Sequence, residues 1–313
     1  MGVVSDFIDG IKDWFNDTIH DVLEGGITSN FENISDVLTS TYTSATEDDG
    51  LMSIFLTSHP ARFTGTTTIS SVPVWATIER LCNNVVVPIA GFILTVILLS
   101  DLIQTVMRGN NFKEIDDSIF IKWIIKSVCG ILLVSNTYYI ASGLFSFGTN
   151  VCANGLSYLI SGNLKSISIT EFKAALSNYD NGEMLMMLCI SFVILIAIML
   201  LTVAIVIVLA SRMIEIFMYL GVSPIPMATM LNNEWGQVGK NWIKGVIALS
   251  FQGFFIIIAL GIFKTIFNNV IVSITNVEDG VIMSMLMLAG YSAALIYTVL
   301  RSGQISKSIF NAT

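Results

Sequence analysis

Apolar residues crowd five long stretches of this chain. A helix crosses a hydrocarbon core of about 30 Å with about 20 residues. Residues 85–107, 119–147, 184–211, 242–267 and 281–300 each reach that length and predict five transmembrane helices. Pro88 and Asp101 lie near the ends of the first, and Lys122 and Lys126 fall in the first two turns of the second. The third carries no charge at all. At about 1.5 Å per residue it outruns the hydrocarbon core, so it is expected to tilt or project.

Residues 212–230 break the pattern. They read RMIEIFMYLGVSPIPMATM, opening on charges and interrupted by Gly221, Pro224 and Pro226. Proline lacks a backbone donor and disfavours helix at the residue before it. This stretch predicts a broken elbow that enters the membrane face without spanning; a sixth span is the alternative. At the other end, residues 4–24 show helical periodicity. Val4, Phe7, Ile8, Ile11, Trp14, Phe15, Ile19, Val22 and Leu23 form a stripe, with Asp6, Asp9, Asp13, Asp17 and Asp21 off it. Gly25-Gly26 predicts the end of that amphipathic helix. An acidic face suits anionic headgroups poorly, so the stripe packs either on this protein or on a partner. Residues 27–72, rich in Ser, Thr, Asn and Gly, read as a polar connection with weak helix.

Composition fixes the class. Hydrophobic residues make up 54% of the 313 positions and charged ones 12%, against about 25% charged in soluble domains. The chain is expected to be an all-α membrane protein. It divides into an acidic N-terminal region (1–72), a transmembrane domain (73–305) and a short tail (306–313). The net charge of −8 is uneven: eleven of the 23 acids lie in the first 60 residues beside one base, Lys12. No basic stripe exists, which argues against a specific nucleic-acid site. Basic residues near span ends set orientation. With five spans, Arg108, Lys113, Lys122, Lys126, Arg212, Lys240, Lys244, Arg301 and Lys307 fall on one side, the cytoplasmic one. The N-terminus, the 148–183 loop and the link at 276–280 are then outside and the C-terminus inside. A sixth span would put Arg301 and Lys307 outside.

Ionisable residues within spans are candidates for function. Asp101 has little reach and is placed to pair with Lys122 or Lys126; Arg212 and Glu215, three apart, are placed to pair with each other. Lys264 reads as an anchor that snorkels. Ala289, Gly290, Ala293 and Ala294 make overlapping small-xxx-small pairs, a helix-packing signal that does not say within or between subunits. Cys82, Cys129, Cys152 and Cys189 lack metal or redox spacing and read as buried apolar residues. Cys82 and Cys152 both fall on the expected outer side, where an oxidising compartment would permit a disulfide. His20 and His59 sit in the polar N-terminal region. No zinc, phosphate-loop or nucleophile motif appears, so no catalytic residue, cofactor or metal is assigned.

Three segments carry a resemblance: VPVWATIERLCNNVVVPIAGFILTVILLSDLIQ (72–104), NNFKEIDDSIFIKWIIKSVCGILLVSNT (110–137) and SRMIEIFMYLGVSPIPMATM (211–230). Together with the layout they resemble the polytopic TrbL/VirB-type membrane subunit of type IV secretion and conjugation machines, in its Gram-positive mobile-element form. The resemblance covers about residues 72–305. It implies a non-enzymatic channel or scaffold that assembles as a homo-oligomeric ring. Its implied partners are cytoplasmic ATPases and other subunits of the system, membrane lipid, and DNA or protein substrates in transit. On that reading Arg212, Glu215, Pro224 and Pro226 shape the elbow, and Asp101, Lys122 and Lys126 line the cytoplasmic mouth. The alternative is a secondary transporter of a small solute, which would require paired broken helices.

Overall fold

A computed structural model describes residues 2–47, 50–62, 74–108, 117–159, 169–177, 179–232, 234–275 and 280–312. Lys113, most of the 276–280 link and residues 160–168 of the expected outer loop lie outside these. Among the described residues the chain forms helices and no strand. These are α1 (Gly2–Thr46), α2 (Leu51–Thr57), α3 (Val74–Leu81), α4 (Val87–Arg108), α5 (Asp117–Leu159), α6 (Ile169–Leu176), α7 (Asn181–Val222), α8 (Pro224–Thr229), α9 (Gly236–Thr275), α10 (Val281–Leu300) and α11 (Ser302–Ile309). Five stretches are long and apolar enough to cross a membrane: Val74–Gln104, Phe120–Leu159, Asn181–Val222, Gly236–Ser273 and Val281–Leu300. The chain is a multi-pass, all-α membrane protein.

Four of these helices run past the expected bounds. α5, α7 and α9 hold 43, 42 and 40 residues, about 60 Å each at 1.5 Å per residue. Hydropathy marks where lipid covers a helix; it does not mark where the helix stops, because the backbone bonds internally in either solvent. Much of the expected 148–183 loop is accordingly helical, in α5, α6 and the start of α7. Residues 212–222, expected as the first half of the elbow, belong to α7.

The chain forms two compact units. The first comprises Met1–Gly50, Leu156–Val208 and Ile256–Leu300. Here the expectation for residues 25–46 is corrected: α1 continues through Gly25-Gly26 to Thr46. Gly26 serves a close approach instead of a cap, since a Cβ there would stand 3.0 Å from Leu188 Cδ1. Leu23, Ile27, Phe31, Ile34, Leu38 and Tyr42 form the buried face of this half of α1. The Ser, Thr and Asn residues that resemble coil serve as helix-to-helix contacts. Asn30 Nδ2 donates to Ser191 Oγ at 2.8 Å, Thr41 Oγ1 lies 3.0 Å from Thr202 Oγ1, and Tyr42 Oη donates to the Leu260 carbonyl at 2.7 Å. Phe31 packs edge-on to Phe172, and Lys173 Nζ meets Glu24 Oε1 at 3.3 Å.

The second unit comprises Leu51–Gly155, Leu209–Phe255 and Arg301–Thr313. One core cluster gathers Ile54, Cys82, Tyr138, Phe145, Ile216 and Leu249; another joins Ala90, Leu94, Leu98, Val134 and Ala228. Gly148 lets α5 approach α9 closely, for a Cβ there would fall 2.8 Å from the Ser250 carbonyl oxygen. The expected tail is packed helix in its first residues: in α11 the Ser306 hydroxyl donates to the Ala248 carbonyl, and Gln252 Nε2 donates to Ser302 Oγ at 3.3 Å.

Candidate functional site

In the second unit α7 ends where sequence chemistry ends it. Pro224 has no N–H to give the Leu220 carbonyl, and Ser223 supplies the missing donors. Its hydroxyl reaches Leu220 O at 2.8 Å and its N–H at 3.3 Å. Pro224 then opens α8 at a position where a missing N–H costs nothing. Thr229 Oγ1 donates to Pro226 O at 2.7 Å near the far end. Pro224, Pro226, Met227, Ala228 and Thr229 are buried. Ala228 packs among Ala90, Leu94 and Leu98 of α4. The break expected across 212–230 is thus confined to Ser223–Met230 and covered by protein, the condition under which irregular backbone is tolerated at depth.

Facing this break, the helix of the first span carries an irregularity that hydropathy does not register. Cys82–Val86 forms a π-helical turn, with Val87 N–H bonded to the Cys82 carbonyl. Cys82 Sγ lies 4.0 Å from Ser223 Oγ. Such turns concentrate at functional sites and have no side-chain signature. Beside it a groove of about 830 Å³ runs along α3, α7 and α9, lined by Ile78, Leu81, Phe217, Gly221, Asn241 and Trp242 among others.

Arg212 is not at a surface and does not pair with Glu215. It is 2% exposed. Its Nε donates to Leu249 O at 3.1 Å, Nη1 to Phe55 O at 2.8 Å and Nη2 to Ser250 O at 3.2 Å. Phe55 lies in the last turn of α2, where carbonyls lack intrahelical donors and the helix dipole favours a cation. The guanidinium fits because position 253 is glycine: a Cβ there would sit 3.0 Å from Nη1 and 3.1 Å from Cys152 Sγ. Arg212 therefore ties α2, α7 and α9 together through backbone alone. Glu215 is half-buried.

Asp101 makes its pair with Lys126, Oδ2 to Nζ, at 2.6 Å, while Lys122 is exposed. Trp123 Nε1 donates to Leu98 O at 3.0 Å, and Gln104 Nε2 approaches Glu234 Oε1 at 3.4 Å. These contacts make a polar end to the α4–α5 pair.

The remaining candidates separate. In the first unit α10 buries Val281, Ser284, Met285, Leu288, Ser292, Leu295 and Val299. Gly290, Ala293 and Ala294 are exposed and Ala289 half-buried, so the small-residue stripe faces mainly away from the packed side. Lys264 of α9 is 7% exposed, so protein covers most of its side chain. The disulfide is absent: Cys82 and Cys152 are free, one facing Ser223 and the other in contact range of position 253. Among the described residues, His20, Asp21 and Glu24 bring ligand-type atoms within 4.8 Å of one another, but Glu24 already faces Lys173.

Comparison with known proteins adds one match. A family model described as TrbL/VirB6 plasmid conjugal transfer like protein covers residues 58–224, just over half of the chain. No curated protein and no solved structure gave a match. The matched region starts after α2, takes in the first three spanning helices and stops at Pro224, the first residue of α8.

Proposed function

This chain belongs to the TrbL/VirB6 plasmid conjugal transfer like family, and on that premise we propose that it is the channel or scaffold subunit around which substrate crosses the membrane. Family membership makes it a membrane component of a conjugal transfer system. The match over the first three spans is the observation that carries the finer reading. A break at Ser223–Pro224 whose following turn is buried, with Ala228 packed on α4, gives the membrane domain a fixed bend, which suits a scaffold. The solute-transporter alternative draws nothing from the family match.

In this proposal several copies assemble as a ring. The exposed Gly290, Ala293 and Ala294 face of α10 supplies a surface where a second backbone can come close. Arg212, Pro224 and Pro226 hold the broken segment in shape, and Glu215 borders it. Asp101, Lys122 and Lys126 form the cytoplasmic mouth. Cytoplasmic ATPases of the same system supply the energy, and DNA or protein passes without a sequence-specific site. Nine of the 15 Lys and Arg residues fall at 108–126, 212–244 and 301–307, the ends that a five-span layout puts on one side. Setting aside buried Arg212, the basic residues still mark one side as cytoplasmic. The N-terminus is then outside and the C-terminus inside.

Deletion in a donor cell tests the function. Transfer of the element is expected to stop and to return when the gene is supplied in trans. Unchanged transfer would reject the conjugation role.

A further inference from the structure

Among the described residues, the apolar side chains over residues 7–15 of α1 stand exposed. Phe7 and Trp14 are 69% and 67% exposed, and Ile8, Ile11 and Phe15 are exposed beside them. Two observations explain why. At about 100° per residue, the stripe over residues 7–22 lies about 160° around the helix from the Leu23–Ala45 stripe that packs into the first unit. One rigid helix thus turns one apolar face inward and the other away. Asn181 Nδ2, at the start of α7, donates to Asn16 O at 3.3 Å. Residues 7–15 therefore extend past the polar Asp180–Glu183 end of α7, beyond its apolar run.

We propose that residues 6–22 of α1 are a docking helix for a separate protein whose apolar groove is rimmed by lysine and arginine. Lipid is the wrong cover, because Asp6, Asp9, Asp13, Asp17 and Asp21 crowd the rest of this surface against one base, Lys12, and anionic headgroups repel such a helix. A second copy is disfavoured by the same charges, since neighbouring copies would hold like charges within a Debye length of about 8 Å. A cationic rim reverses the sign of that interaction and steers the encounter. The apolar face is also wider than a two-stranded seam requires, which suits a groove that wraps the helix.

This inference does not rest on the conjugation reading, because its test measures binding and not transfer. The full chain is reconstituted in phosphatidylcholine nanodiscs with benzoylphenylalanine replacing the exposed Ile11, and two synthetic amphipathic helices serve as probes, one of Leu and Lys, one of Leu and Glu. The Leu/Lys peptide is expected to bind saturably and cross-link. Its affinity should fall at least about tenfold, about 1.4 kcal/mol, in the Phe7→Ser, Trp14→Ser, Phe15→Ser variant, and also on raising salt. The Leu/Glu peptide should not bind. These positions are exposed, so circular dichroism should show the variant's helix content unchanged. The proposal is overturned if the Leu/Lys peptide fails to bind, if binding survives the triple variant, or if the cross-links join two copies of this chain or lipid alone.

Discussion

Arg212 holds three backbone carbonyls from inside the second unit, and its removal should be felt in stability before it is felt anywhere else. Hydrogen bonds to a charged donor are worth about 1.5–3 kcal/mol each, and a buried acceptor left bare costs more than a bond never made. Arg212→Gln is expected to lower stability in detergent by about 3 kcal/mol, read as an earlier thermal unfolding midpoint. Arg212→Lys should recover part of it, because a single ammonium cannot span three acceptors in a fork. The Asp101–Lys126 pair is only partly shielded, with side-chain exposures of 18% and 24%. A double-mutant cycle with Asp101→Asn and Lys126→Met should give a coupling of about 1 kcal/mol; a coupling of zero would make the contact incidental. His59 supplies a pH dependence. Burial holds its imidazole below the ordinary value of 6.5, and Nδ1 accepts the Ala61 N–H at 3.1 Å. The unfolded chain takes up that proton near pH 6.5 and the folded chain resists it. Stability in detergent should therefore decline as pH falls through about 6.5, and His59→Gln should flatten the decline.

At the scale of elements, glycine spacing decides how near the long helices come. Gly148 lies against the Ser250 backbone, which cannot move aside as a side chain would. Gly148→Ala should cost about 1–3 kcal/mol in detergent unfolding, whereas Gly91→Ala, with open space around it, should be neutral or slightly stabilising. The same comparison shows what the sequence discloses. The spanning helices were readable because a run such as 184–211 leaves no polar face. Pro224 and Pro226 marked α8, because a missing donor leaves a visible letter. The ends of α5, α7 and α9 were not readable, since helix continues wherever a neighbour packs on it. Nor was the course of α1 past residue 24, because Gly25-Gly26 looks the same as a stop and as a close contact, and Thr41 looks the same in coil as facing Thr202. Arg212 stood out as a candidate, yet its partners did not: carbonyl oxygens belong to every residue and so identify none. The π turn at Cys82–Val86 left no mark for the same reason.

At the scale of the whole molecule, five spans require that the two ends lie on opposite sides. In a cysteine-free background, Asp13→Cys should react with a membrane-impermeant maleimide on intact cells, and Lys307→Cys only after permeabilisation. Labelling of both ends from outside would discard the five-span topology. The turn at Cys82–Val86 has a consequence for length variation among relatives. A π turn accommodates one residue more than regular helix does, so losing either Asn83 or Asn84 would let the backbone relax into unbroken α-helix. The helix on either side would keep its facing, because the wider turn had already absorbed the extra residue, so Ile78 and Leu81 would stay on the groove and Trp75 beside the Tyr138 hydroxyl, which now reaches its carbonyl at 3.2 Å. A natural chain one residue shorter at this point should therefore need no compensating insertion upstream, and would lose only the local widening of the turn.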